Sequence, residues 1–109
     1  MTFQWFSRKF KNTLRIAQEL VRQEKCTVSK GAIIAGASLG FSETEIKESI
    51  SKLTKDNFYH STQEKHNPKV SQDVYKLQLR NVNLYIKYKI VDNGAELIIT
   101  SFKEDTADK

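Results

Sequence analysis

The spacing of the apolar residues changes once along this chain, from the helical period of about 3.6 residues to the strand period of about 2. The change falls near residue 56 of 109, so that residues 12–55 read as helices and residues 56–104 as strands. The connections between the later strands are short. The sequence therefore predicts one α+β domain over residues 1–109, in which about three N-terminal helices pack on one face of a C-terminal sheet and residues 105–109 form a frayed tail.

Three segments of the first half carry local helix signals. The first runs from about Asn12 to Gln23, where apolar residues recur at helical spacing. In the second, "SKGAIIAGASLG", Ser29 can cap the start and Gly40 can supply the left-handed residue that ends a helix. The third, "FSETEIKESISKL", begins with a capping box of Ser42 and Glu45. We therefore expect three helices, the last with its polar side in water.

Four strands are expected in the second half. They are the segment "NFYHST", then Gln72 to Leu79, Val82 to Val91 and Glu96 to Lys103. The pair Asn93-Gly94, before the last strand, suits the positive backbone angles of a tight hairpin. Because such connections are too short for crossovers, the sheet should be antiparallel, with about four or more strands. One face must take the helices, and the other remains for water or a ligand.

Side-chain alternation places most polar residues of the two central strands on one surface, which we call the open face. The positions on this side are Gln72, Val74, Lys76, Gln78, Arg80, Asn83, Tyr85, Lys87 and Lys89. Between Tyr75 and Ile90 there are four basic residues and no acidic one, whereas a face built only for solubility usually mixes both signs. Since cations and aromatic rings on one sheet face can hold RNA phosphates and bases, this face is a candidate RNA-binding surface.

Charge and cysteine content narrow the class of protein. A net charge of +5 and a pI near 9.4 favour an anionic partner without naming one. The single Cys26 cannot form an internal disulfide, which fits a reducing compartment, and we expect a small, partly buried residue at a helix end. No run approaches the ~18 apolar residues of a membrane span, and the first residues lack the order of a secretory signal. We therefore expect a cytoplasmic protein.

Cleavage of RNA needs either a metal site or groups that act directly on the 2′-hydroxyl. The carboxylates of the strand half are scattered, and no metal motif or phosphate-binding glycine loop occurs, so we expect no metal and no other cofactor. A metal-free site needs a base, an acid and cations for the phosphorane. His60 can serve as base or acid, although a lone strand histidine is more often structural, and Tyr85 can donate a proton. Lys87, Arg80 and Lys103 can neutralise phosphate.

Several segments together resemble the MqsR family of bacterial toxins. They are "LVRQEKCTVSKGA", "LGFSETEIKESISKLTKDNFYHS", "QDVY", "LYIKYKI" and "SFKE", which follow one another between about Thr13 and Glu104. The resemblance implies a ribosome-independent endoribonuclease that cleaves messenger RNA, with a preference for GC-containing sites, and arrests growth. It also implies a RelE-like fold and a cognate antitoxin that binds DNA. The toxin would then reach operator DNA only through this antitoxin.

The resemblance also carries site residues over by position. The family's glutamine before "DVY" matches Gln72, and the lysine after Ser-Phe matches Lys103. The strand tyrosine and the lysine two residues later match Tyr85 and Lys87. At position 60 the chain departs from the better-known members of the family, which have a catalytic lysine where this chain has His60. The implied site has His60 and Tyr85 as the proton-transfer pair, Gln72 orienting the scissile group, and the two lysines holding phosphate.

The RNA-binding surface is expected to extend beyond these residues to Lys76, Arg80 and Lys89. The change at position 60 keeps a second function open, namely a non-catalytic RNA-binding module or a degenerate toxin that acts as a regulator. A DNA-binding regulator is a third alternative, but the chain shows no recognition-helix pattern, because its basic residues crowd the strands and the first helix.

Overall fold

Both halves predicted from the apolar spacing are present in the computed structural model, which describes residues 13–66 and 70–106. Within these residues there are three α-helices, all in the first half, and a five-stranded sheet. The α+β class is therefore confirmed. The predicted start of the first helix at Asn12 and the predicted fraying of residues 107–109 lie outside the described residues.

The second and third helices begin at the capping residues read from the sequence. In the described chain α1 covers residues 13–22, α2 covers Lys30–Ser38, and α3 covers Glu43–Ser49 and continues as a 3₁₀ turn, Ile50–Lys52. The N–H of Ala32 donates to Ser29 Oγ at 3.2 Å and caps α2, and Gly40 follows that helix with a φ of +89°. The Glu45 N–H donates to Ser42 Oγ at 3.1 Å, and the Ser42 N–H donates to Glu45 Oε1 at 2.8 Å. The capping box is therefore confirmed.

The sheet is mixed, and its strand order in space is β1-β5-β4-β3-β2. The strands are β1 Cys26–Val28, β2 Phe58–Gln63, β3 Ser71–Leu79, β4 Val82–Val91 and β5 Glu96–Glu104. The four strands of the second half pair antiparallel, as predicted, and each predicted boundary lies within one residue of the observed one. Two further 3₁₀ turns, Lys55–Asn57 and Asp92–Gly94, precede β2 and β5.

The strand β1 was not predicted from the sequence. It has three residues and pairs parallel with β5, with Thr27 opposite Ile98. Three residues are too few to reveal an alternating pattern, and their strand conformation depends on a partner about 70 positions later in the chain. The expectation of a purely antiparallel sheet therefore needs correction at this edge.

The helices cover one face of the sheet and form the core with it. Its buried strand residues include Tyr75, Leu84, Ile86, Tyr88, Leu97, Ile99 and Phe102. Gly36 lets α2 pack closely against α3 and β5, since an added Cβ would lie 2.5 Å from Ile46 Cδ1 and 3.2 Å from Phe102 Cδ1. The Gln18 side chain of α1 donates to the carbonyls of Ile50 and Leu53 at 3.1 and 3.0 Å. None of the described helices is long and apolar enough to cross a membrane.

Two local expectations differ from the structure. Cys26 lies in β1 rather than at a helix end, and it is buried, which raises the pKa of its thiol to about 11. The tail does not fray from residue 105, because the Asp105 N–H donates to the Asn83 carbonyl at 2.7 Å. The Asp105 carboxylate also pairs with Lys76 at 3.3 Å, so the chain stays attached to the sheet one residue beyond β5.

Candidate functional site

The open face exists as alternation predicts, because the described helices pack on the opposite side of β3 and β4. Tyr75 and Tyr88 point into the core, whereas Lys76, Tyr85 and Lys87 are only partly buried on the other side. Val74 is fully buried although it lies on the open face, and it stands outside the core cluster beneath the helices. The open face is therefore a packed surface around Val74 rather than a row of isolated polar side chains.

Strand register orders the open face into three rows that run across the sheet. The first row is His60, Val74, Lys87 and Ser101, taken from β2, β3, β4 and β5 in turn. His60 and Lys87 flank Val74 on two strands about 10 Å apart, which is twice the spacing of neighbouring strands. A phosphate group bound by Lys87 would thus lie within reach of the imidazole.

The second row lies two residues further along the strands, or about 7 Å away. It contains Lys76, Tyr85 and Lys103, which are directly opposite one another on β3, β4 and β5. Lys103 Nζ lies 5.0 Å from the centroid of the Tyr85 ring. This row brings together the predicted proton donor and two of the predicted RNA-binding lysines.

The third row lies on the other side of the first and contains Thr62, Gln72 and Lys89. Thr100 Oγ1 donates to Gln72 Oε1 at 3.1 Å and contacts the Lys87 carbonyl at 3.3 Å. Thr100 is the extra residue of a bulge, since Ser101 pairs with Lys87 while Ile99 pairs with Tyr88. The hydroxyl of this bulge residue thus holds the Gln72 side chain on the open face.

A second bulge, in β2, adds a residue that the sequence analysis missed. Phe58 pairs with Tyr75 and His60 with Val74, so Tyr59 is the extra residue between them. Phe58 contacts the Tyr75 ring in the core, and both Tyr59 and His60 then lie towards the open face. Their ring centroids are 4.7 Å apart. Regular alternation would place these two neighbours on opposite faces of the sheet. The sequence pattern therefore could not predict that Tyr59 lies on the open face.

The positive charge of the open face is smaller than the sequence suggested. Lys76 pairs with Asp105 at 3.3 Å, and Lys89 donates to Glu64 at 2.6 Å. Over residues 13–66 and 70–106, neither Lys87 nor Lys103 has a carboxylate within ion-pairing distance. Among the four lysines of the three open-face rows in the described residues, Lys76 and Lys89 are therefore paired, whereas Lys87 and Lys103 are uncompensated.

Arg80 does not lie on the open face, and the sequence prediction is wrong about its side. Residue 80 follows the last residue of β3 and has a φ of +54°, so the alternation of the strand no longer governs its side chain. Its guanidinium hydrogen-bonds to Glu45 of α3, donates to the Gly40 carbonyl at 3.1 Å and lies 4.5 Å from the Phe41 ring centroid. These contacts are on the helix-covered side of the sheet.

The tyrosines on the two sides of the sheet differ in environment. Tyr88 Oη donates to Tyr75 Oη at 3.4 Å inside the core, and burial raises the pKa of both phenols. Asp73, also buried, accepts a hydrogen bond from Ser61 Oγ at 2.7 Å. Tyr85 instead lies where a ligand on the open face can contact it. In the described part of the chain, no three His, Cys, Asp or Glu side chains form a group that could hold a metal ion.

Fold and site together define a small basic α+β protein that presents a histidine, a tyrosine and two uncompensated lysines on the sheet face opposite its helices. The family model described as motility quorum-sensing regulator, toxin of MqsA, matches residues 10–104. The chain therefore belongs to the MqsR toxin family. It is a toxin of a toxin–antitoxin system, and its partner is an antitoxin protein. No curated protein matches the chain.

Proposed function

We propose that this toxin is a metal-independent, ribosome-independent endoribonuclease that cleaves messenger RNA at GC-containing sites and thereby arrests growth. The observation that carries the proposal is the arrangement of the first two rows of the open face. His60 and Tyr85 supply proton-transfer groups there, and Lys87 and Lys103 supply positive charge without a neighbouring carboxylate among the described residues. Acid–base groups beside uncompensated cations match what phosphodiester cleavage by the 2′-hydroxyl requires.

The reaction uses the nucleophile that RNA itself contains. One member of the His60–Tyr85 pair removes the proton of the 2′-hydroxyl, and the oxygen attacks the adjacent phosphorus. The bond to the 5′-oxygen of the next nucleotide breaks, and the other member of the pair protonates that oxygen. The products are a 2′,3′-cyclic phosphate and a 5′-hydroxyl, so neither water nor a metal-bound hydroxide enters this step.

The remaining site residues hold the reacting phosphate. Lys87 and Lys103 stabilise the negative charge that develops on the phosphorane, because a cation on a partly dried surface interacts more strongly than one in bulk water. Gln72, fixed by Thr100, hydrogen-bonds a non-bridging oxygen and orients the group for attack. Lys76 and Lys89 reach flanking phosphates only by sharing their ammonium groups with Asp105 and Glu64.

The decisive experiment is cleavage of a long single-stranded transcript by the purified protein in the presence of EDTA. We expect cleavage with cyclic-phosphate ends, and a fall in rate of about a hundredfold or more for His60→Ala and for Tyr85→Phe. His66→Ala is the matched control for the first variant, since His66 is an exposed histidine outside the strands. Unchanged rates in both site variants would show that the assignment is wrong.

One observation supports a second function, the non-catalytic RNA-binding module or degenerate toxin. Position 60 holds histidine where the resemblance implies that better-known members of the family have a catalytic lysine, so the ammonium group that would attract phosphate there is missing. This alternative predicts salt-dependent RNA binding with intact RNA after long incubation. Under it, His60→Lys would create a cleavage activity that the unaltered chain lacks.

The proposal includes the setting in which the toxin acts. The antitoxin neutralises it, binds operator DNA, and is the only route by which the toxin reaches that DNA. The site of action is the cytoplasm, where messenger RNA is available. Expression of the chain alone should stop growth, and co-expression of its antitoxin should restore growth.

A further inference from the structure

The aromatic side chain that the β2 bulge brings to the open face has no role in the mechanism above. Tyr59 is 52% exposed. The other large hydrophobic side chains of the described chain with comparable exposure are Ile16 and Ile34, which belong to helices α1 and α2. Tyr59 is thus the exposed aromatic ring that lies beside the candidate active site.

The contacts of this ring are those of a surface for a flat, electron-rich ligand. Lys76 Nζ lies 3.9 Å from the centroid of the Tyr59 ring, and the His60 ring is tilted against it by 42° at 4.7 Å. A cation held at an aromatic ring can move to a nearby phosphate without a backbone change, because lysine has a flexible four-carbon stem. About half of the tyrosine surface remains open for stacking.

We propose that Tyr59 forms a stacking site for one unpaired nucleobase of the RNA, next to the scissile phosphate. This inference rests on the proposed function and names how the substrate is positioned at that site. Bases stack on exposed aromatic rings without regard to sequence, since every base has a π-face. A base on Tyr59 places its own ribose near the neighbouring His60, and its phosphate can extend to Lys87 in the first row.

The distances along the sheet agree with this placement. Tyr59 contacts Lys76 of the second row, whereas His60 belongs to the first row, about 7 Å away along the strands. The bulge therefore lets one short segment of β2 hold a base with one residue and act on the adjacent ribose with the next. Bulges beside active sites commonly re-aim a side chain in this way. Tyr59 is accordingly a positioning residue, and the proton transfer remains with His60 and Tyr85.

The test uses Tyr59→Leu and Tyr59→Phe with a short single-stranded RNA that contains one GC site and carries a 2′-deoxynucleotide there. This substitution removes the nucleophile, so binding is measured by fluorescence anisotropy whether or not the protein cleaves RNA. We expect Tyr59→Leu to weaken binding about tenfold, the factor that loss of one stacked base gives, and Tyr59→Phe to stay within about twofold. With an RNA that can be cleaved, Tyr59→Leu should raise KM about tenfold, while its kcat should stay within about threefold of that of the unaltered protein.

A second arm replaces the bases of the same RNA, one position at a time, by abasic nucleotides. For one of these positions the unaltered protein should lose the same tenfold, while Tyr59→Leu should lose nothing further. Equal losses in both proteins at every position, or unchanged RNA binding by Tyr59→Leu, would overturn the stacking site. If the protein does not cleave RNA but the abasic experiment gives the expected result, the endoribonuclease proposal is wrong and the stacking site at Tyr59 is still supported.

Discussion

The salt dependence of RNA binding distinguishes the lysines that the fold leaves uncompensated from the cations that it pairs. We predict that Lys87→Gln and Lys103→Gln each reduce this dependence, whereas Arg80→Gln does not. Lys87 and Lys103 have no ion-pairing carboxylate in the described structure, while Arg80 bonds Glu45 on the helix-covered side. All three residues are basic positions that the sequence alone assigned to RNA binding.

The magnitude follows from counterion release. Each phosphate neutralised on a single strand contributes about 0.7 to the negative slope of log K against log salt concentration. Loss of one contact therefore removes about 0.7 from the slope, and loss of both removes about 1.4. Between 50 and 200 mM salt, a fourfold change, one contact corresponds to a factor of about 2.6 in affinity and two contacts to about 7. For Arg80→Gln the expected change in slope is about zero.

The assay is fluorescence anisotropy of a labelled RNA with a 2′-deoxy cleavage site, titrated at four or more salt concentrations. Arg80→Gln also removes a contact with Phe41, so thermal unfolding must show that each variant is folded at the assay temperature. A slope change for Arg80→Gln as large as that for Lys87→Gln would refute the reasoning. So would an unchanged slope in the Lys87 and Lys103 double variant.

Two further predictions concern the core that supports the site. Gly36→Ala should lower the free energy of unfolding by about 1 kcal/mol, within a range of about 0–2 kcal/mol, in urea denaturation, because overpacking against Ile46 costs about 1–3 kcal/mol and the better helix propensity offsets about 1 kcal/mol. Its matched control is Gly31→Ala in the same helix, where an added Cβ meets nothing within 4 Å and stability should stay equal or rise. Cys26 should resist alkylation by iodoacetamide at pH 8 in the folded protein and react readily in urea, because burial raises its pKa to about 11 and keeps the thiol protonated. Fast alkylation of the folded protein would contradict its burial.

Elements whose signals are local could be predicted from the sequence. The capping box of α3 needs only Ser42 and Glu45, which lie within one helical turn, and the hairpin strand β4 alternates without interruption over the nine residues 82–90. The same alternation correctly separates Tyr85 and Lys87 from Tyr88, because the pleat itself puts successive side chains on opposite faces. These features depend on neighbours in sequence, so a single sequence contains them.

Features that depend on distant partners could not be predicted in this way. The charge of the open face is reduced by Glu64 and Asp105, which lie before β3 and after β5 in the chain and come beside Lys89 and Lys76 only in the folded sheet. Counting charges between residues 75 and 90 therefore overstated the positive field. The strand β1 could not be predicted for the same reason, because only its pairing with β5 makes these three residues a strand.

The two bulges explain how a sheet of this size can bring so many of the proposed site residues together. Their extra residues, Tyr59 and Thr100, stand at opposite ends of the first row, beside His60 and Ser101. In a regular strand, successive side chains point to opposite faces of the sheet. Two adjacent residues could therefore both face the open side only if one of them gave up its place in the core. Here Phe58 and Ile99 keep their core positions while Tyr59 and Thr100 reach the polar side. The two inserted residues cannot be recognised from a strict two-residue alternation. One of them places the Tyr59 ring beside the first row, and the other places the Thr100 hydroxyl where it hydrogen-bonds Gln72, while Phe58 and Ile99 stay in the core.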